Sequence, residues 1–433
     1  MQFSKYGDKY TKISGISSLM RDLGSALSQE SDIIFMGGGN PAHIDEVYKK
    51  FSAQIQSIST SEESYKRYFV NYQSPEGNLD FRIALSKLLS KELGYPISEK
   101  NIGLSNGSQS AFYTIFNILA GEHADGKFKS VMLPMIPEYI GYSEIGIEEN
   151  FFKSQLPKIK LLKDNYFKYE VDFDNLEVDD GIGAICVSRP TNPSGNMLTK
   201  DELGRLDLLA KKKNIPLIID CAYGLPFPGV VYDKKENYIS DNTILVFSLA
   251  KLGLPGCRTG IIVADEFLIE TFNNANVAMN LSTASLGPGI LTNIILQDQL
   301  IPLCRGTIMP FYKAVRDEIL DYINHLFKDI NYRIHVPEGA FFLWIWFEDL
   351  PISSTDFYEI LKRNGTLVIP GEYFFHGLKN NDYAHAKQCI RVSYTQNVNS
   401  IKQGLKRVYE QYKNLFLNLI LQTLVHPSRF LLL

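Results

Sequence analysis

Val246-Phe247-Ser248-Leu249-Ala250-Lys251-Leu252-Gly253-Leu254-Pro255-Gly256-Cys257-Arg258-Thr259-Gly260 sets a lysine just past an apolar run and an arginine seven residues later. Thr243 to Ala250 is rich in β-branched and large apolar residues, so it reads as a buried strand whose end delivers Lys251 into a cleft. There a lysine loses solvation, its neutral amine becomes accessible, and that form makes Schiff bases with carbonyls. Gly253, Pro255, Gly256 and Gly260 permit a tight loop that folds back on the lysine and brings Ser248 and Arg258 together as donors for an anion. By itself the stretch fits equally well a lysine that merely ends a strand.

The segments upstream repeat the arrangement. Gly183 to Ser188 reads as a strand, followed by the polar turn Arg189-Pro190-Thr191-Asn192-Pro193-Ser194-Gly195-Asn196. Thr199-Lys200-Asp201-Glu202 forms a capping box that opens a helix with Leu203, Leu206 and Ala210 on one face. Ile215 to Ile219 is a buried strand ending in Asp220. Strand, helix, strand, connection, strand implies an α/β fold with parallel pairing and right-handed crossovers, whose sites lie beyond the carboxyl ends. Asn192, Asp220 and Lys251 all fall at those ends.

Other stretches are weaker when taken singly. Gly107-Ser108-Gln109-Ser110 opens a helix carrying Phe112, Ile115, Phe116 and Leu119 on one face; its free N–H groups suit a phosphate, although a plain capped helix explains it too. Met36-Gly37-Gly38-Gly39-Asn40-Pro41 is a turn or backbone that lies against a ligand. Ser130 to Met135 reads as a strand before the loop Pro137-Glu138-Tyr139-Ile140-Gly141-Tyr142, whose aromatics could lie on a ring or simply pack. After Asp298 come a helix over about Pro310 to Phe327 and short strands near Gly339 to Phe347, Val368 to Gly371 and Cys389 to Tyr394. Arg391 sits inside the last of these, where an unpaired charge is costly, so it should face a carboxylate of the protein or of a substrate.

Composition narrows the partners. A net charge of −4 gives no general attraction to nucleic acid or an anionic bilayer, which favours small molecules. Cys186, Cys221, Cys257, Cys304 and Cys389 show no paired spacing, which argues for reduced thiols in a cytoplasmic protein. The seven histidines lack metal-binding spacing, so no metal is expected. The polar N-terminus has no signal core, and the apolar Leu415 to Leu433 reads as a helix packed on the body followed by a tail of unknown role.

In order, Gly107-Ser108-Gln109, Asn192-Pro193-Ser194-Gly195, Asp220-Cys221-Ala222-Tyr223, Ser248-Leu249-Ala250-Lys251, Arg258 and Arg391 resemble the fold type I aminotransferases of class I and II, which depend on pyridoxal 5'-phosphate (PLP). The strings at 37–42, 137–142, 187–193 and 251–256 are closest to the branch that exchanges an amino group between valine and pyruvate. The resemblance implies a large PLP-binding domain with a mostly parallel sheet over residues 50–309, and a smaller α+β domain over 310–415 joined by 1–49, with 416–433 as a tail. It implies that Lys251 forms a Schiff base with PLP and moves the substrate proton, and that Asp220 pairs with the pyridine nitrogen. Tyr223 and Asn192 would bond the ring oxygen and Tyr139 would stack on the ring. Ser108, Gln109, Ser248 and Arg258 would hold the phosphate, with Tyr72 reaching it from a second subunit of a homodimer. Arg391, helped by Asn192 and the Gly38 backbone, would grip the substrate carboxylate. The family's cis bond is carried to Asn192-Pro193 as an expectation. Other PLP reactions on this scaffold, or a regulatory module that binds PLP without turnover, are the alternatives; the latter usually follows a basic DNA-binding segment, which this sequence does not present.

Overall fold

Ile182–Ser188, Leu217–Asp220 and Thr243–Ser248 are buried at every position, as strands are when helices cover both faces of their sheet. The structure is a computed structural model that describes the backbone of residues 1–11, 17, 20, 21, 24, 33–233, 235–378 and 382–425, and their side chains as far as residue 417. The large sheet runs in the order Ile102–Ser105, Gly260–Val263, Thr243–Ser248, Leu217–Asp220, Ile182–Ser188, Phe128–Leu133 and Gly121–Glu122, with Phe152–Ser154 also beside Phe128–Leu133. From Thr243–Ser248 across to Phe152–Ser154 every pairing is parallel, while Gly260–Val263 runs antiparallel to both neighbours. The helices Ser108–Leu119, Lys200–Lys212 and Glu266–Asn280 pack on this sheet.

The helix Lys200–Lys212 begins where the capping box requires: Thr199 Oγ1 accepts from the Glu202 N–H at 3.1 Å and the Glu202 carboxylate accepts from the Thr199 N–H at 2.8 Å. The strand leading to the lysine is shorter than the apolar run suggests. It stops at Ser248, whose hydroxyl takes the Ala250 N–H at 3.2 Å and turns the chain into the 3₁₀ segment Leu249–Leu252 that carries Lys251.

A second sheet holds Ile369–Pro370, Cys389–Ser393, Phe342–Trp346, Arg333–His335, Tyr166–Glu170 and Lys158–Leu161 in that order. Its last two strands come from the middle of the chain, between strands of the large sheet. The helices Met309–Leu326 and Val398–Val425 pack on each other, and Ile34–Phe35 pairs with Thr366–Leu367. The expected C-terminal helix therefore starts well before Leu415, and the tail from 426 onward lies outside the described residues, as does most of 12–32. Among the described residues no helix is long and apolar enough to cross a membrane.

One expectation fails. Asn192-Pro193 is trans, and the cis bond in this turn is Arg189-Pro190. The reversal after Asn192 is made instead by Gly195 at φ +71°, and the turn is closed by the Gly195 N–H on the Thr191 carbonyl at 2.7 Å and the Thr191 N–H on the Asn196 carbonyl at 2.9 Å.

Candidate active site

Strand register brings the site together. Ser188, Asp220 and Val246 are level on three adjacent parallel strands, so the Asn192 turn, Asp220 and the lysine segment leave the sheet at one edge. Ser248 on the last of these strands is level with Gly260 and Ser105 on the next two, which sets the start of the helix Ser108–Leu119 beside the lysine loop. A side chain at Gly260 would lie 2.7 Å from the Ser108 nitrogen, so only glycine lets these strand ends close up.

Lys251 Nζ donates to the Gly39 carbonyl at 2.6 Å and lies 5.3 Å from the Tyr223 ring and 5.8 Å from the Phe341 ring. Burial, with Arg391 and Arg258 nearby, lowers its ammonium to about 8, with Asp220 opposing. Asp220 accepts from the Ala222 N–H at 2.8 Å and the Tyr142 hydroxyl at 2.8 Å; burial raises its carboxyl to about 6 despite these bonds and the charge of Lys251.

Arg391 is 3% exposed. Its Nη1 donates to Asn192 Oδ1 and its Nη2 to the Gly37 carbonyl, each at 2.7 Å, while the Phe342 and Phe374 rings flank the guanidinium at 4.2 and 5.2 Å. No carboxylate among the described residues pairs with it, and its buried Nε has no acceptor. A guanidinium held only by neutral groups in a dry site suits an incoming carboxylate.

The opposite end of the site gathers hydrogen-bond donors around Gly107. Gly107 at φ +95° precedes the helix, and a side chain there would meet Arg258 Nη2 at 2.2 Å. Arg258 is itself left-handed at φ 44°, which points its guanidinium back to that glycine. Ser110 and Ala111 donate to the Gly107 carbonyl, whereas among the described residues the N–H groups of Ser108 and Gln109 have no acceptor.

Of the residues picked from the sequence, Ser108, Gln109, Asn192, Asp220, Ser248, Lys251 and Arg258 thus gather at one edge of the large sheet, and Arg391, from the second sheet, reaches the same place through its bond to Asn192. Tyr139 and Tyr223 border it: Tyr139 makes an edge contact with Tyr142 at 5.3 Å, and Tyr223 packs on Phe341 at 5.0 Å. Gly38 lies between the glycines whose carbonyls take Lys251 and Arg391, and its Cα faces the Phe35 ring. Tyr72 stands apart, 84% exposed. Tyr142 and Glu138 belong to the 137–142 loop quoted from the sequence, which gives neither a role of its own; the signal for Glu138 is a lone carboxyl closing the apolar run Val131 to Pro137.

A model of the family described as aminotransferase class I and II matches residues 45–408. The chain belongs to the class I and II aminotransferases. The valine–pyruvate aminotransferase of Escherichia coli K12 is 42% identical to it over 95% of this chain and 98% of that one. A structure of a putative amino-acid aminotransferase from Psychrobacter arcticum superposes with a TM-score of 0.93 at 42% identity, covering 96% of this chain and all of that one. The valine–pyruvate aminotransferase of Salmonella typhimurium LT2 gives 0.85 at 40% identity, covering 92% and 98%. The HTH-type transcriptional regulator NorG of Staphylococcus aureus is 26% identical over 79% of this chain and 73% of that one. Class I and II aminotransferases use PLP, and this site fits it. Two unclaimed N–H groups and Arg258 match a phosphate, Asp220 offers a buried carboxylate, and Lys251 offers an amine of lowered basicity.

Proposed function

We propose that the enzyme moves the amino group of L-valine to pyruvate, giving 3-methyl-2-oxobutanoate and L-alanine in two half-reactions. The observation that carries the chemistry is that Lys251 and Arg391 donate to the carbonyls of Gly39 and Gly37, which sets an amine and a guanidinium against the same short stretch of backbone. The choice of valine and pyruvate rests on the likeness to the Escherichia coli enzyme. Aminotransferases for other aliphatic or aromatic amino acids are the alternative.

When bound, PLP supplies an aldehyde that condenses with amines and a ring that accepts the electron pair left on Cα. Ser108, Gln109, Ser248 and Arg258 would hold its phosphate, Asp220 its ring nitrogen, Asn192 and Tyr223 its ring oxygen, and Tyr139 one ring face. Lys251 Nζ, neutral in a useful fraction because its ammonium is lowered to about 8, is the base able to take the Cα proton and return it. Arg391 binds the carboxylate common to amino acid and oxo acid, so one site serves both half-reactions. Exchanging Asn192 and Gly37 for a substrate carboxylate replaces neutral partners by a charged one, which fixes the substrate by two bonds.

We also infer a homodimer in which Tyr72 reaches the neighbour's phosphate, supported by its exposure, and a cytoplasmic setting, supported by five free cysteines. The division at 49, 309 and 415 belongs to the same reading; strand pairing of Ile34–Phe35 with Thr366–Leu367 supports joining the N-terminal segment to the smaller domain. An absorption spectrum taken before and after L-valine, then after pyruvate, tests the function. The cofactor band should disappear with valine and return with pyruvate. A band that valine leaves untouched sinks the proposal, and one untouched by every amino acid favours a sensor of the NorG kind.

A further inference from the structure

Glu138 has no exposed surface, and it lies in the loop between the strand Phe128–Leu133 and the aromatic pair Tyr139 and Tyr142. A carboxyl taken out of water is costly unless it is bonded, so its partners reveal what keeps it there. Oε1 accepts from the Ser188 N–H at 2.8 Å; Oε2 lies 2.5 Å from Ser188 Oγ and 3.3 Å from the Tyr139 nitrogen. The Glu138 N–H donates to the Phe374 carbonyl at 3.0 Å.

Each of these bonds leads to a different part of the site. Ser188 is level with Asp220 on the adjacent strand, and its carbonyl takes the Thr191 hydroxyl at 2.9 Å, which begins the turn holding Asn192. Tyr139 borders the seat of the ring, and Phe374 faces Arg391. No cation among the described residues pairs with Glu138. Burial lifts its carboxyl to about 8 against the lowering bonds from Ser188, and the charge of Asp220 adds to the rise. Tyr142 and Cys186, the other titratable groups around it, are held neutral by burial. An uncharged Glu138 can donate from Oε2 to Ser188 Oγ while Oε1 accepts from the backbone.

We propose that Glu138 is a positioning residue of the cofactor seat, locking the Tyr139 loop to the strand end that carries Ser188 and so setting Tyr139 and Asp220 in relation to each other. This rests on the PLP reading of the site. Its test uses the full chain and PLP as the probe, comparing Glu138→Gln, Glu138→Ala and Ser188→Ala by PLP dissociation constant and by the circular dichroism of the bound cofactor at one pH. Glutamine keeps an acceptor for the Ser188 N–H and a donor for Ser188 Oγ. It should bind PLP within about twofold of the unsubstituted protein, with the same dichroic band. Alanine should weaken PLP by about tenfold or more and shrink the band, because the ring is no longer seated in one orientation.

An alanine variant that matches the parent in both readouts overturns the inference. Should the alanine variant not fold, Ser188→Ala decides it: a PLP dissociation constant and a dichroic band both like the parent's overturn it. Failure of the parent protein to take up PLP is a separate result that removes the cofactor reading and this inference with it.

Discussion

Lys251 and Asp220 carry opposite perturbations at one sheet edge, and both follow from burial. The lysine holds its proton less tightly in the fold than in the unfolded chain, about 8 against 10.5. Between those values the unfolded chain binds the extra proton, so stability of the cofactor-free protein should rise with pH across that window. Urea midpoints of the parent should therefore climb above those of Lys251→Met as pH rises through it; parallel curves would mean the amine is not desolvated. Asp220 works the other way. Its carboxyl is raised from 3.8 to about 6, so its contribution to stability should fall as pH rises between those values, and Asp220→Asn should make the decline shallower there while that of Glu138, raised from 4.5 to about 8, remains. At the phosphate end, Gly107→Ala would force a side chain onto Arg258 at a left-handed position. The PLP dissociation constant should rise by about tenfold or more with the fold intact, read by fluorescence titration beside the thermal midpoint. These residues were legible in the sequence because each is a chemical type at the end of an apolar run. Tyr142 and Glu138 were not, because what matters about them is a partner on another strand, Asp220 in one case and Ser188 in the other.

Elements were read most reliably where local chemistry fixes them. The capping box Thr199 to Glu202 starts its helix at the expected residue because both reciprocal bonds are made within four residues. Thr199→Ala should cost about 1 kcal/mol in chemical denaturation, with unchanged PLP binding, since the capping bonds of exposed Thr199 run only to Glu202. The lysine strand ends two residues before the apolar patterning does, which continues through Leu249 and Ala250, because a single serine hydroxyl bond to the backbone ends the ladder. The cis bond expected at Asn192-Pro193 rests on the resemblance and on no local signal of this turn, whose closure depends on which carbonyl meets which N–H, here Thr191 with Gly195. The hairpin Lys158 to Glu170 could not be assigned to the second sheet from pattern alone, because its partner Arg333–His335 is far along the chain.

At the scale of the whole molecule, Tyr72 decides whether the site is complete within one chain. It is a large aromatic at 84% exposure, set after Tyr65, Phe69 and Val70, which are also exposed, so this surface is poorly suited to water. If Tyr72 serves a neighbouring subunit, Tyr72→Phe should weaken PLP retention, and the defect should be separable from that of Lys251→Ala by mixing. A hybrid of the two variants would contain one site with the intact lysine of the first chain and the intact tyrosine of the second, and another site with both defects. It should therefore regain tight PLP binding at half the parent's stoichiometry, although neither variant alone shows it. If Tyr72 acts within its own chain, every site in the hybrid keeps one defect and no tight site appears. The stoichiometry of tightly held PLP in the mixed sample thus separates a shared site from a self-contained one, independently of whether valine is the substrate.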